Sequence, residues 1–139
     1  MKDSERMAGG VVVCGFPGLE VPEPLRSWLA DRALGGLILF KRNIVSVEQT
    51  RALIESCTAG DHPQLPTLIC IDQEGGRVSR LAEPVLALPP MRLLGAHGNP
   101  ELTRRAGTAL GRQLRAIGIN LDFAPVLDVD TNPDNPVIG

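Results

Sequence analysis

No apolar run in this sequence approaches the roughly 18 residues that a membrane-spanning helix needs. The opening MKDSERMAGG also lacks the apolar centre of a secretory leader. Neither a spanning helix nor export is therefore expected. Cysteine is scarce as well. Cys14, Cys57 and Cys70 make an odd set without a C-x-x-C spacing, and their apolar neighbours suit reduced thiols packed as small hydrophobes. Neither sign of charge dominates: 14 Lys and Arg stand against 16 Asp and Glu, for a net charge of −2. That balance points neither to nucleic acid nor to an anionic membrane as a partner. The location expected from these features is cytoplasmic. No P-loop, G-x-G-x-x-G or G-x-S-x-G occurs, so no phosphate cradle and no nucleophile elbow is marked.

What is present is the pattern of a globular domain. Hydrophobic residues make up 43% and charged residues 22% of the 139, enough for one domain with a core and short for two. Four apolar runs stand out: VVVCGF (11–16), GLILF (36–40), TLICI (67–71) and INLDFAPVL (119–127). The first three are nearly continuous, as in strands buried on both faces of a parallel sheet. Helical patterns lie between them. Pro24 suits a first turn, and Leu25, Trp28, Leu29 and Ala33 share one face of a helix predicted over 24–33. Ser46 and Gln49 have capping-box spacing ahead of a stripe of Val47, Leu53, Ile54 and Cys57. Asn99 and Pro100 start a third helix that runs to Ile117 and stops at Gly118. Its buried face is predicted as Leu102, Ala106, Ala109, Leu110, Leu114 and Ile117, with Arg104, Arg105, Arg112 and Arg115 mostly elsewhere. Gly107 and Gly111 weaken this helix by about 1 kcal/mol each relative to Ala, which close packing is expected to offset. The order β-α-β-α-β-α-β predicts a parallel α/β fold. A long connection rich in Pro and Gly, 72–98, leaves the third strand at the end where such folds build their sites.

Charge concentrates after the third and fourth strands. In IDQEGGRVSRL (71–81), Asp72 ends a strand, Gly75 and Gly76 allow a sharp bend, and Arg77 and Arg80 follow. A carboxylate and a guanidinium there can grip hydroxyls and amides of a polar ligand, or form an ion pair that only orders the loop. In LDFAPVLDVDTNPDNP (121–136), Asp122 lies inside a strand and needs a partner or a polar interior. Asp128, Asp130 and Asn132 match the opening of a calcium loop. Pro133 and Gly139 stand where that loop needs glycine and glutamate, so an EF-hand is rejected and no metal site is assigned. Spacing alone leaves open a glycosidase carboxylate pair drawn from Asp72, Asp122 or Asp128. His62 and His97 read as solvated loop residues without a nucleophile nearby.

Three ordered motifs, GGLILFKRNI (35–44), IDQEGGRVSRL (71–81) and INLDFAPVLDVDTNPDNPVIG (119–139), together resemble glycoside hydrolase family 3. Within it they are similar to the bacterial β-N-acetylhexosaminidase branch, which trims N-acetylglucosamine from cell-wall fragments in peptidoglycan recycling. The D-Q-E-G-G-R-V element is the most specific. The resemblance implies a (β/α)8 TIM-type barrel with its site at the C-terminal rim. It also implies a retaining mechanism through a covalent glycosyl–aspartate, with no metal and no organic cofactor. Asp72 matches the carboxylate that holds sugar hydroxyls, and Arg80 matches a substrate-binding arginine of the same loop. Asp122 and Asp128 are expected to be structural. A complete barrel of this type needs about 250 residues. The family's lysine–histidine loop, its acid/base histidine and its nucleophilic aspartate find no match here. The expectation is an incomplete N-terminal half-barrel over 1–139, truncated or from an incomplete gene, that binds a carbohydrate but is inactive alone. Its exposed sheet edges are expected to promote self-association. The alternatives are a non-catalytic sugar-binding or assembly module, and an intact parent with β-glucosidase activity.

Overall fold

The computed structural model describes residues 3–61, 64–132 and 134–137. Its centre is a pair of strands, β2 (Gly36–Leu39) and β3 (Leu68–Ile71), joined in parallel from Gly36 opposite Leu68 to Leu39 opposite Ile71. Ile69, Cys70 and Ile71 are at most 1% exposed. Three successive buried residues mean that both faces of β3 are covered, as the unbroken apolar run predicts. The outer strands, β1 (Val13–Cys14) and β4 (Leu121–Asp122), are much shorter than the apolar runs around them. Each pairs on one side only, in the order β1-β2-β3-β4. Without a second partner the ladder frays at its ends, so a long apolar run yields a short strand.

All pairings are parallel and follow chain order. That is the winding of a (β/α) barrel, since a doubly wound sheet reverses its order at a switch point. The sheet is not closed. Side chains extend the brief β3–β4 pairing at both ends. Asn120 donates through Nδ2 to Thr67 O at 2.8 Å and accepts the Ile69 N–H at 2.9 Å. Beyond the ladder, Asp122 Oδ1 accepts the Gln73 N–H at 2.9 Å.

Helices cover the sheet. α1 (Asp3–Gly9), which the sequence reading did not anticipate, precedes β1. α2 (Glu23–Ala30) buries Leu29 and ends before the predicted Ala33. Asp31 caps it, Arg32 takes a positive φ of 55°, and the Ala33 N–H turns back onto Trp28 O. Trp28, predicted on the buried face, is 49% exposed, because Leu25 and Leu29 already define the contact stripe. A short 3₁₀ turn (Lys41–Asn43) leads to α3 (Val47–Thr58). There the Ser46 side chain accepts the Gln49 N–H, as its spacing predicts, and Gln49 Oε1 in turn accepts the Val45 N–H. Leu53 and Ile54 fill the core, with Val47 and Cys57 against it.

The long connection after β3, which the sequence predicts as loop, contains α4 (Met91–His97). α5 (Pro100–Ile117) begins at Asn99, whose side chain accepts the N–H groups of Glu101 and Leu102. It ends at Gly118, with a φ of 104° that favours glycine. Leu110, Leu114 and Ile117 are buried as predicted, whereas Ala109 is exposed. Gly107 and Gly111 do not offset their helix cost by close packing: a Cβ at either would meet nothing within 4 Å. Both lie on the open side of the helix. The cysteines are free thiols. Burial pushes Cys57 up to about 11 and raises Cys70 as well, so both stay protonated at neutral pH. Among the described residues no helix is long and apolar enough to cross a membrane.

Candidate functional site

The C-terminal ends of the strands gather the polar groups that the sequence singled out. β3 ends at Ile71, fully buried, and the next residue, Asp72, turns its carboxylate to the rim. Arg80 returns to meet it, with Nη2 3.0 Å from Asp72 Oδ2. The two side chains are 22% and 25% exposed, neither sealed in nor fully solvated. Partial shielding strengthens the pair while leaving it open to a solute.

The loop between them has its own supports. Gly75 and Gly76 have φ of 101° and 56°, which lets the chain double back so that Glu74 and Gly75 both donate to Val78 O. A Cβ on Gly75 would lie 2.6 Å from Pro89 O, so no other residue fits that approach without a shift. Gln73 is 2% exposed. Its Oε1 accepts the N–H groups of Arg80 at 2.8 Å and Leu81 at 3.1 Å, and its Nε2 donates to Leu81 O at 3.3 Å. A neutral amide can stay buried here because both of its ends are bonded.

The second arginine of the motif points elsewhere. Arg77 is exposed and its Nη1 donates to Pro136 O. The wall beside Arg80 comes from the β2 loop. The Phe40 ring lies under Arg42 at 4.5 Å and near Arg80 at 6.0 Å from the ring centre. Asn43, fully buried, accepts the Phe40 N–H and donates to Phe16 O and Gly18 O, tying the β1 and β2 loops together. Arg80 Nε is buried with no partner among the described residues.

Burial raises the Glu74 and Asp122 carboxyls above their ordinary range, and the Asp72 charge adds to both. Arg80 pulls Glu74 down in part, and the Gln73 N–H does the same for Asp122. The rim thus holds three carboxylates, of which Asp72 pairs with the half-shielded Arg80 guanidinium and Glu74 feels its charge. Such a set can accept and donate hydrogen bonds to neighbouring hydroxyls of a sugar.

The other candidates have partners of their own or lie away from the pair. Asp122 is tied to the Gln73 backbone, the partner its strand position called for. Asp128 is exposed in the segment after β4. Asp130, one of the residues resembling a calcium loop, is engaged by Arg92 at 2.6 and 2.8 Å, which holds its carboxyl low. His97 closes α4 instead of lying in a loop, and is exposed. His62 lies outside the described residues. Among those described, no three metal-ligating side chains come together. The sequence reading missed Gln73 and Asn43, because a neutral amide inside a charged motif gives no sign that it is the buried member.

Residues 11–139 match the glycosyl hydrolase family 3 N-terminal domain. The chain belongs to this family. It is 40% identical over 127 residues to a beta-hexosaminidase of Chromobacterium violaceum, covering 87% of this chain and 35% of that protein. It is 42% identical over 130 residues to a beta-hexosaminidase of Thiobacillus denitrificans, covering 89% and 36%. Among solved structures, the family 3 β-N-acetylglucosaminidase from Paenibacillus sp. FPU-7 superposes with a TM-score of 0.85 at 39% identity, over 100% of this chain and 27% of that one. NagZ from Neisseria gonorrhoeae, solved with N-trifluoroacetyl-D-glucosamine, gives 0.71 at 35% identity, over 86% and 37%. This family 3 chain spans about a third of the length of the curated relatives it matches. Its open four-stranded sheet is the N-terminal half of the family's (β/α) barrel.

Proposed function

We propose that residues 1–139 form one partial barrel domain carrying the sugar-gripping side of a β-N-acetylhexosaminidase site. Asp72 accepts hydroxyl protons of a terminal N-acetylglucosamine, and Arg80 donates to the same ring while neutralising Asp72. The observation that carries this reading is the half-shielded Asp72–Arg80 pair at the rim of β3. Its support is that Gln73 and the two glycines already order the loop. An ion pair is not needed for that task.

In the retaining reaction of such an enzyme, an aspartate attacks the anomeric carbon while an acid protonates the leaving oxygen; water then releases the sugar. None of the carboxylates or histidines of this chain is assigned to those steps, so the 139 residues bind without cleaving. The substrate is a glycan ending in N-acetylglucosamine, of the kind released from cell walls, and the setting is cytoplasmic.

The β1 and β4 edges promote self-association. Val11, Leu127 and Val129 near them are 85%, 90% and 83% exposed. Sedimentation at micromolar concentration checks this, and a sharp monomer boundary counts against it.

The sugar reading is tested by titrating the purified chain with N-acetylglucosamine and assaying an aryl N-acetylglucosaminide in parallel. Saturable binding is expected, weakened about tenfold or more by Asp72→Ala or Arg80→Ala, with no turnover. Binding that survives both substitutions, or turnover by the chain itself, overturns it.

A further inference from the structure

Gln73 is placed unlike any other residue of the rim. Its backbone N–H reaches across to Asp122 at the end of β4. Its side chain reaches forward across the loop to both N–H groups of the Arg80–Leu81 return, and back to Leu81 O. One residue therefore joins the end of β3, the end of β4 and the far arm of the loop. The two acceptor bonds at 2.8 and 3.1 Å set where the Arg80 backbone sits. The arginine side chain begins from that point, so the guanidinium arrives at Asp72 from a fixed origin.

Charge cannot do this work. A carboxylate at position 73 would be buried beside Asp72, Glu74 and Asp122, whereas a neutral amide offers an acceptor and a donor without adding to that repulsion. The side chain is 2% exposed, so it is not itself a group for ligand contact.

We propose that Gln73 is the positioning residue of the Asp72–Arg80 grip: a buried amide clasp that holds the loop closed and sets the guanidinium on its carboxylate. This rests on the reading that Asp72 and Arg80 hold the sugar, and its test separates the two.

The test compares the 139-residue chain with Gln73→Met, which keeps the volume and removes the acceptor. A second variant, Gln73→Glu, keeps the acceptor oxygen and adds, when ionised, the buried charge that the neutral amide avoids. Backbone hydrogen exchange is followed at Arg80 and Leu81, with the β2 and β3 amides as internal reference, and N-acetylglucosamine is titrated into each protein. Gln73→Met is expected to speed exchange at Arg80 and Leu81 by about tenfold over the reference amides and to weaken sugar binding by a similar factor. Gln73→Glu is expected to protect both amides at about pH 4, where its acid is neutral, and to lose that protection relative to the reference amides at about pH 7. Unchanged protection in Gln73→Met overturns the clasp. Faster exchange with undiminished sugar affinity overturns the positioning role. If Gln73→Met unfolds throughout, Gln73→Glu decides alone: protection of Arg80 and Leu81 that falls as position 73 ionises supports the clasp, and protection indifferent to that charge overturns it. If the parent chain binds no sugar, the grip reading fails, while the exchange comparison still decides whether Gln73 holds Arg80 in place.

Discussion

Two acid-rich segments leave neighbouring strands at the same rim and end in opposite states. The 72–81 loop folds on itself through Gln73 and the Gly75–Gly76 bend, which bring Asp72 and Arg80 together, and its key side chains are half-shielded or buried. The 123–137 segment lies open, with Leu127 and Val129 90% and 83% exposed, and is tethered from outside by Arg92 on Asp130 and Arg77 on Pro136. Similar composition has produced a built loop in one place and a surface strap in the other. The difference is a single buried neutral amide that satisfies the backbone within the first loop. In the second segment the Asn132 and Asn135 side chains close only short turns, and the two arginines tether it from outside.

The contrast is broken most strongly by truncating one apolar side chain for each segment, at the root of the first and within the second. Ile71→Ala, at a position with no exposure, is expected to destabilise by about 2–5 kcal/mol. Leu127→Ala is expected to stay within about 0.5 kcal/mol. Urea denaturation of both variants checks this, and equal losses would remove the distinction between the segments. A smaller effect separates two glycines. Gly75→Ala forces a side chain into a left-handed conformation against Pro89 O, with an expected loss of about 1–3 kcal/mol. Gly107→Ala, in open space on α5, is expected to gain about 0.5–1 kcal/mol from helix propensity. Thermal melts of the pair read out both signs.

The smallest effect is in pH dependence, where Asp122, which anchors the first loop at Gln73, and Asp130 of the second segment have opposite signs. Asp122 has its folded pKa raised by burial. The folded state therefore binds the proton more tightly, and stability from this group falls as pH rises from the ordinary carboxylate range through the raised value. Asp130 has its folded pKa lowered by Arg92. Its contribution is present above the ordinary range and is lost as pH falls through the lowered value. Asp122→Asn keeps an acceptor for the Gln73 N–H and removes the charge. Its urea midpoint is expected to decline less than the parent's between about pH 4 and pH 7. Asp130→Asn is expected to blunt the loss on the acid side instead. The same slope in both variants would contradict the assignment.

Much of this could be read before any coordinates. The continuous apolar runs placed β2 and β3, because a strand covered on both faces has no polar side to show. The Ser46 and Asn99 caps and the Gly118 stop were legible for the same kind of reason: each answers a local backbone need that only a few residue types meet. The failures were of another sort. The runs at 11–16 and 119–127 overstated β1 and β4, since strand length at an edge depends on a partner the local sequence does not contain. Trp28 and Ala109 were assigned to buried faces by periodicity, yet exposure there depends on what packs against the helix. Gly107 and Gly111 suggested a close neighbour, and the fold supplies none on that side. α1 and α4 escaped because short helices carry too few turns for a periodic signal.

At the rim the division is the same. The sequence by itself marked Asp72, the arginines Arg77 and Arg80 and the Gly75–Gly76 bend, since charge at a strand end and paired glycines are visible one residue at a time. It also carried the parallel winding and the family. Only the tertiary structure decided which arginine meets Asp72, that Asp122 is held by a backbone N–H, and that Gln73 is the buried residue tying these together. Those outcomes depend on which polar groups lose water when the loop folds over β3. That is a property of the packed molecule and of no single position in the chain.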